Sequence, residues 1–156
     1  MLVKYAFVIT ISCLGAASLG HAADQLPVDT DFVSKAERSG DQEIADARDA
    51  LAKSKDPAIY GLAKRIEEDG TVVNRRLVTL ATEKGWPTPT LDPPDTMSPY
   101  SDHRFVVRQI RALHDALTFY SEEAANGADT ALQEFARRTM PILRQRLASL
   151  QSLRTS

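Results

Sequence analysis

Four stretches of the chain place apolar residues three or four positions apart, and that period commits each to a helix with one greasy face. In the first, Val33, Ala36, Gly40, Ile44, Ala47 and Leu51 follow one another at spacings of three, four, four, three and four. The second carries Ile59, Leu62, Ile66, Val73, Leu77 and Leu80, and the third Val106, Ile110, Leu113, Leu117, Tyr120 and Ala124. The fourth carries Leu132, Phe135, Thr139, Ile142 or Leu143, Leu147, Leu150 and Leu153. No stretch alternates with the period of two that a half-buried strand needs. A one-faced helix must bury that face against other elements. The expected fold is therefore all-α, an antiparallel four-helix bundle.

The boundaries follow from local chemistry. Asp29 or Thr30 is positioned to cap the first helix, which runs to about Ser54. Asp56 followed by Pro57 is a cap with a first-turn proline and starts the second helix, which Gly85 ends. Residues 86–99 contain five prolines, in Trp86-Pro87-Thr88-Pro89, Asp92-Pro93-Pro94 and Pro99, and can neither continue a helix nor join a sheet. They read as a long connection across the bundle end, with Trp86 covering the core edge. The third helix begins near Ser98 or Ser101 and stops at Asn126-Gly127. Asp129 caps the fourth, in which Pro141 should kink the helix or loosen a turn.

The N-terminus has its own pattern. Lys4 precedes an uncharged apolar run from Tyr5 to Leu19, and Gly20-His21-Ala22 places small residues at the −3 and −1 positions of a cleavage site, the layout of a secretory signal peptide cut after Ala22. The rival reading is an uncleaved anchor, for which the run is shorter than the roughly 20 residues a spanning helix needs. An acylated Cys13 is set aside because Thr10-Ile11-Ser12 is a poor lipobox. Residues 1–22 are thus read as a signal peptide and 23–156 as the bundle, exported to the periplasm, with outer-membrane association open.

Without residues 1–22, the 156-residue chain leaves 134 residues with 18 basic and 21 acidic side chains, a net charge of −3. That is one ordinary domain. The absence of a dominant basic patch argues against nucleic acid, and no run in the mature part approaches membrane-spanning length without charge. Cys13 is the sole cysteine, so the mature part has no disulfide, thiolate metal site or cysteine nucleophile. Nothing arranges a Ser–His–Asp set or a glycine-rich phosphate loop. His103, Tyr60, Tyr100 and Tyr120 read as surface or boundary residues, and Glu67, Glu68, Glu122 and Glu123 as solvated faces.

Ionisable residues on the inward stripes need a partner or a purpose. Glu43 lies seven after Ala36 and four before Ala47. Asp69, with Gly70, interrupts the second stripe between Ile66 and Val73. His114 is four after Ile110, and Arg146 lies between Leu143 and Leu150. These four are expected to form one polar layer in the core. Two readings give these residues a role, and in a third they merely lie exposed at the edge of the core. Glu43, Asp69 and His114 could bind a divalent metal, as carboxylates and imidazoles do in di-iron bundles. Alternatively the four form a buried network in which Arg146 pairs with Glu43 or Asp69. A separate possibility is a small-ligand cavity near Gly40, Gly70 and Pro141.

Several segments together are similar to those of the exported, ferritin-like proteins grouped as domain of unknown function 4142. They are Gly40-Asp41-Gln42-Glu43-Ile44, Asp56-Pro57-Ala58-Ile59, Arg65-Ile66-Glu67-Glu68-Asp69 with Asn74 and Leu77, His114 with Phe119, Glu122-Glu123-Ala124, and Phe135-Ala136 with Thr139-Met140-Pro141-Ile142-Leu143. The resemblance spans Phe32 to about Leu150. It implies a periplasmic or envelope four-helix bundle with an acid in helix one, an Asp-His pair in helix two and a histidine in each of helices three and four. Glu43, Asp69 and His114 match that pattern. Gly70 stands where it implies the second-helix histidine, and Arg146 where it implies the fourth-helix one. A small residue and a cation would then replace two ligands together. The resulting expectation is a non-catalytic envelope protein, stress-related or partner-binding, without a cofactor. The alternative is a metal-binding, ferritin-like redox protein.

Overall fold

The computed structural model describes residues 20–86, 88 and 92–154, with side chains described from residue 28. The proposed signal segment before Gly20 lies outside the described residues. Four helices are present: α1 (Gly20–Lys53), α2 (Pro57–Glu83), α3 (Asp102–Asn126) and α4 (Thr130–Arg154). The described residues contain no strand.

Most helix ends are set by the side chains that the sequence offers for them. The Asp56 carboxylate accepts from the backbone N–H of Ala58 at 2.7 Å and of Ile59 at 3.4 Å, ahead of Pro57 in the first turn. The Ser101 hydroxyl accepts from Arg104 N–H, and Asp129 accepts from Ala131 and Leu132 N–H. Gly85, at φ +67°, closes α2. Its N–H reaches Thr82 C=O and that of Trp86 reaches Ala81 C=O, the paired bonds of a Schellman ending. Trp86 packs against the core. α4 runs unbroken through Pro141, which is exposed. The start of α1 differs from expectation. The helix begins nine residues before Asp29, and the Asp29 carboxylate is committed to another corner of the fold, as described below.

Contact registers fix the topology. Glu43 meets Gln109, Asp46 meets Arg108 and Phe32 meets Tyr120. Residue numbers that rise on α1 while falling on α3 mean antiparallel helices. The pairs Asp41–Asn74 and Arg48–Glu67 say the same of α1 and α2. Asp29 meets Ala128 and Glu43 meets Arg146, which makes α1 and α4 parallel across the diagonal. All four neighbouring pairs are therefore antiparallel, and α2 and α3 run in the same direction. The 84–101 connection must accordingly travel the length of the bundle, where the sequence suggested a crossing of its end. It is tied along α1. The Gln42 side-chain amide exchanges two hydrogen bonds with the Asp95 backbone, and Asp49 accepts from Met97 N–H. Met97 is buried, and the Ser98–Pro99 bond is cis. One long crossover among four helices is an established bundle layout.

The core is continuous. Phe32, Ile66, Leu77, Phe105, Leu113, Leu132 and Leu150 are almost wholly buried. Phe32 meets Tyr120 edge-on at 5.0 Å between ring centroids, with Phe119 and Phe135 alongside. Gly40 allows α1 and α2 to approach. A Cβ there would lie 2.0 Å from Asn74 Oδ1, whose amide N–H₂ donates to Asp41 Oδ1 at 2.9 Å. Gly40→Ala is thus expected to lower unfolding free energy by about 1–3 kcal/mol, the cost of overpacking, despite alanine's better helix propensity. Urea denaturation checks this, and Asn74→Ala in the same chain should reduce the loss by removing the clash.

Candidate functional site

Midway along the bundle α1 and α4 place one carboxylate and one guanidinium face to face. Arg146 Nη1 donates to Glu43 Oε2 at 2.8 Å, with 8 % of Arg146 and 4 % of Glu43 exposed. Ser39 donates to the other Glu43 oxygen at 3.3 Å. Burial pushes the Glu43 carboxyl above its ordinary range, and Arg146 opposes that shift. Tyr120 is buried nearby. Desolvation and the Glu43 charge hold its phenol above the usual value. Arg146 Nη2 has no acceptor among the described residues.

The expected four-membered polar layer is not assembled. Asp69 and His114 are both exposed. In α2 the buried face continues from Ile66 through Gly70, Asn74 and Leu77, which turns Asp69 to the flank. In α3 the buried residues Gln109, Leu113, Ala116, Tyr120 and Glu123 centre a face whose edge His114 lies beyond. Asp69 still borders a surface cleft shared with Arg146 and Arg65, whereas His114 looks outward from α3. The same placement keeps the three residues named for a metal apart. Glu43, Asp69 and His114 do not converge, the carboxylate that is inside already has a fixed cation, and no group of three or more His, Cys, Asp or Glu placed to hold a metal occurs among the described residues.

The small-ligand cavity is also corrected. Asn74 fills the space at Gly40, and Ile44 lies 3.0 Å from where a Gly70 Cβ would be. What remains between Gly40, Gly70, Tyr120 and Arg146 is about 20 Å³, the room one water needs. Gly70 and Arg146 border this same space, but the room Gly70 makes is taken up chiefly by Ile44.

Two further buried carboxylates are not among the core residues expected from the sequence. Asp46, 2 % exposed, accepts from Arg108 Nε at 2.8 Å and from Gln42 at 3.0 Å. Burial raises its carboxyl, and Arg108 opposes that. Its place three residues after Glu43 and four before the buried Ala50 was the available clue. The other group is Glu123, read above as solvated and in fact fully buried. It lies under the α3–α4 corner, where a Cβ on Gly127 would come 2.1 Å from its Oε1. Its neighbour is Asp29, whose two oxygens accept from Ala128 N–H at 2.8 Å and Asp129 N–H at 3.0 Å. Among the described residues no N–H or hydroxyl donor reaches either oxygen of Glu123. Burial first, then Asp29, Asp129 and Glu122, push its carboxyl up to about 7. Lys84, at the end of α2, pairs with Asp129 on the outer side of this corner.

The structure is that of an all-α four-helix bundle with one long crossover, an apolar core and an ion pair buried within it. Within that class the chain belongs to the family described as Domain of unknown function (DUF4142), whose model matches residues 15–153. Among solved structures it is similar to a conserved hypothetical protein from Mycobacterium tuberculosis, with 12 % sequence identity, a TM-score of 0.74, and coverage of 85 % of this chain and 94 % of the other. At that identity the likeness speaks for the fold. No curated protein matches the chain.

Proposed function

We propose that this chain is an exported, non-catalytic helical-bundle protein of the periplasm or cell envelope that works by binding a partner, with an internal ion pair occupying the position where its resemblance places metal ligands. The observation that carries this reading is the Arg146 guanidinium 2.8 Å from Glu43 in the bundle interior. A fixed cation there opposes a second one electrostatically, and Glu43 is the one inward carboxylate of the expected ligand set. The apolar run from Tyr5 to Leu19 supports export. No helix among the described residues is long and apolar enough to cross a membrane.

The test is metal analysis of protein purified without chelator, together with melts in added iron, zinc, copper or manganese. The expected result is no stoichiometric metal and an unchanged Tm, because a ligand of the native state alone would raise it. Tightly held metal that disappears in His114→Ala would overturn the reading.

A further inference from the structure

Between α2 and α4 the bundle is open along a groove of about 700 Å³. Its floor is Val73, Leu80 and Phe135. Its lips carry two of the large apolar side chains that remain most exposed, Val72 at 46 % and Ile142 at 39 %. The α2 lip has a pattern of its own. Asp69, Val72, Arg76, Thr79 and Glu83 follow at spacings of three, four, three and four, a second helical stripe that faces away from the core of its own bundle. All five are exposed. Asp69, Arg76 and Glu83 have no ion-pair partner among the described residues, whereas across the groove Arg138 is paired with Glu134 on its own helix.

We propose that two copies of this chain associate about a two-fold axis through this stripe of α2. The order of charges selects a second copy as the occupant. An antiparallel crossing midway between Asp69 and Arg76 sets the two Val72 side chains together at the axis. It also sets Asp69 of each copy opposite Arg76 of the other, so one stripe supplies both halves of two ion pairs. A partner helix of a single sign would meet a like charge at one of these positions, and like charges in apposition cost affinity. A contact that uses the same patch on both subunits is also the commonest closed arrangement. Val72 and Ile142 of each copy then leave water together. This inference is independent of the export and metal readings.

Sedimentation of the purified protein over a concentration series tests it. The wild-type chain is expected to form a dimer that weakens with added salt, because its ion pairs join side chains that are exposed in the single chain. Asp69→Arg and Arg76→Asp should each raise the dimer Kd by about tenfold or more, since each creates two like-charge contacts. The exchanged double variant, Asp69→Arg with Arg76→Asp, should restore association. Val72→Asp should abolish it. These positions are exposed in the single chain, so helicity by circular dichroism should be unchanged in all four. A wild-type protein that stays monomeric overturns the proposal. So does a dimer indifferent to either single reversal, or one that the exchange fails to rescue.

Discussion

Arg146→Ala is expected to lower the unfolding free energy by about 3–5 kcal/mol, a large fraction of what holds a domain of this size together. The loss comes less from the missing attraction than from the group left behind. Glu43 sits in the interior with Arg146 as its ion-pair partner and a single hydroxyl, that of Ser39, as its other donor. Without the guanidinium it must either stay charged in a low-dielectric interior or take up a proton. The variant should therefore recover part of its stability in acid, where Glu43 is neutral. Replacing both partners by apolar groups of similar size, Glu43→Leu with Arg146→Met, should be neutral or stabilising by about 1–4 kcal/mol. Urea denaturation of the single and double variants checks both statements. A single truncation costing less than about 1 kcal/mol, as exposed pairs do, would show that the pair is solvated.

Stability should also fall as pH rises between about 5 and 8, with Glu123 the main cause. Its folded-state carboxyl is pushed up to about 7, above the ordinary glutamate range of about 4.3 that the unfolded chain shows. Below the ordinary range the group is protonated in both states and its contribution is fully present. As pH climbs through 7 the unfolded chain is already ionised, and the folded chain must ionise a buried group beside Asp29, Asp129 and Glu122. The stabilisation is then lost, up to about 3 kcal/mol over the whole window. Glu43, Asp46 and Glu37 are shifted in the same direction, while Asp129, held by Lys84 and the first turn of α4, is shifted the other way. Glu123→Gln isolates the effect, because the amide keeps the shape and cannot ionise. Its urea midpoint should decline distinctly less across that pH range than that of the wild type, the remaining slope coming from Glu43, Asp46 and Glu37. A wild-type midpoint that rises instead would mean that Glu123 is ionised in the native state.

The apolar spacing was enough to read four helices, and single caps or glycines placed both ends of α2, the end of α3 and the start of α4 within a residue or two, because each is a local matter. The rotation of each helix was harder. In α1 the stripe's Val33, Ala36, Ile44 and Ala47 are buried as expected, but the buried face also extends to one side through Asp29, Phe32, Asp46 and Ala50 and leaves Leu51 at its edge. In α2 and α3 a similar offset brought Asp69 and His114 inward on paper and left Glu123 among the solvated residues. Alanine, glycine and polar residues complete these faces, and they carry little or no hydrophobic signal. A buried polar residue also looks like an exposed one until its partner is known. Those partners sit far along the chain, with the backbone of residues 128 and 129 serving Asp29 and Arg146 serving Glu43. Glu43 and Arg146 were legible because each lies near the middle of its apolar face.

The diagonal bond from α1 to α4 also bears on the order in which the molecule can be completed. Its two halves are 103 positions apart, so a chain emerging from the ribosome exposes Glu43 long before its counter-charge has been made. Three helices on their own would have to enclose a lone anion, which disfavours early closure of the interior. Burial of Glu43 is thereby coupled to the arrival of the last helix, so the interior closes around that carboxylate only when all four helices are present.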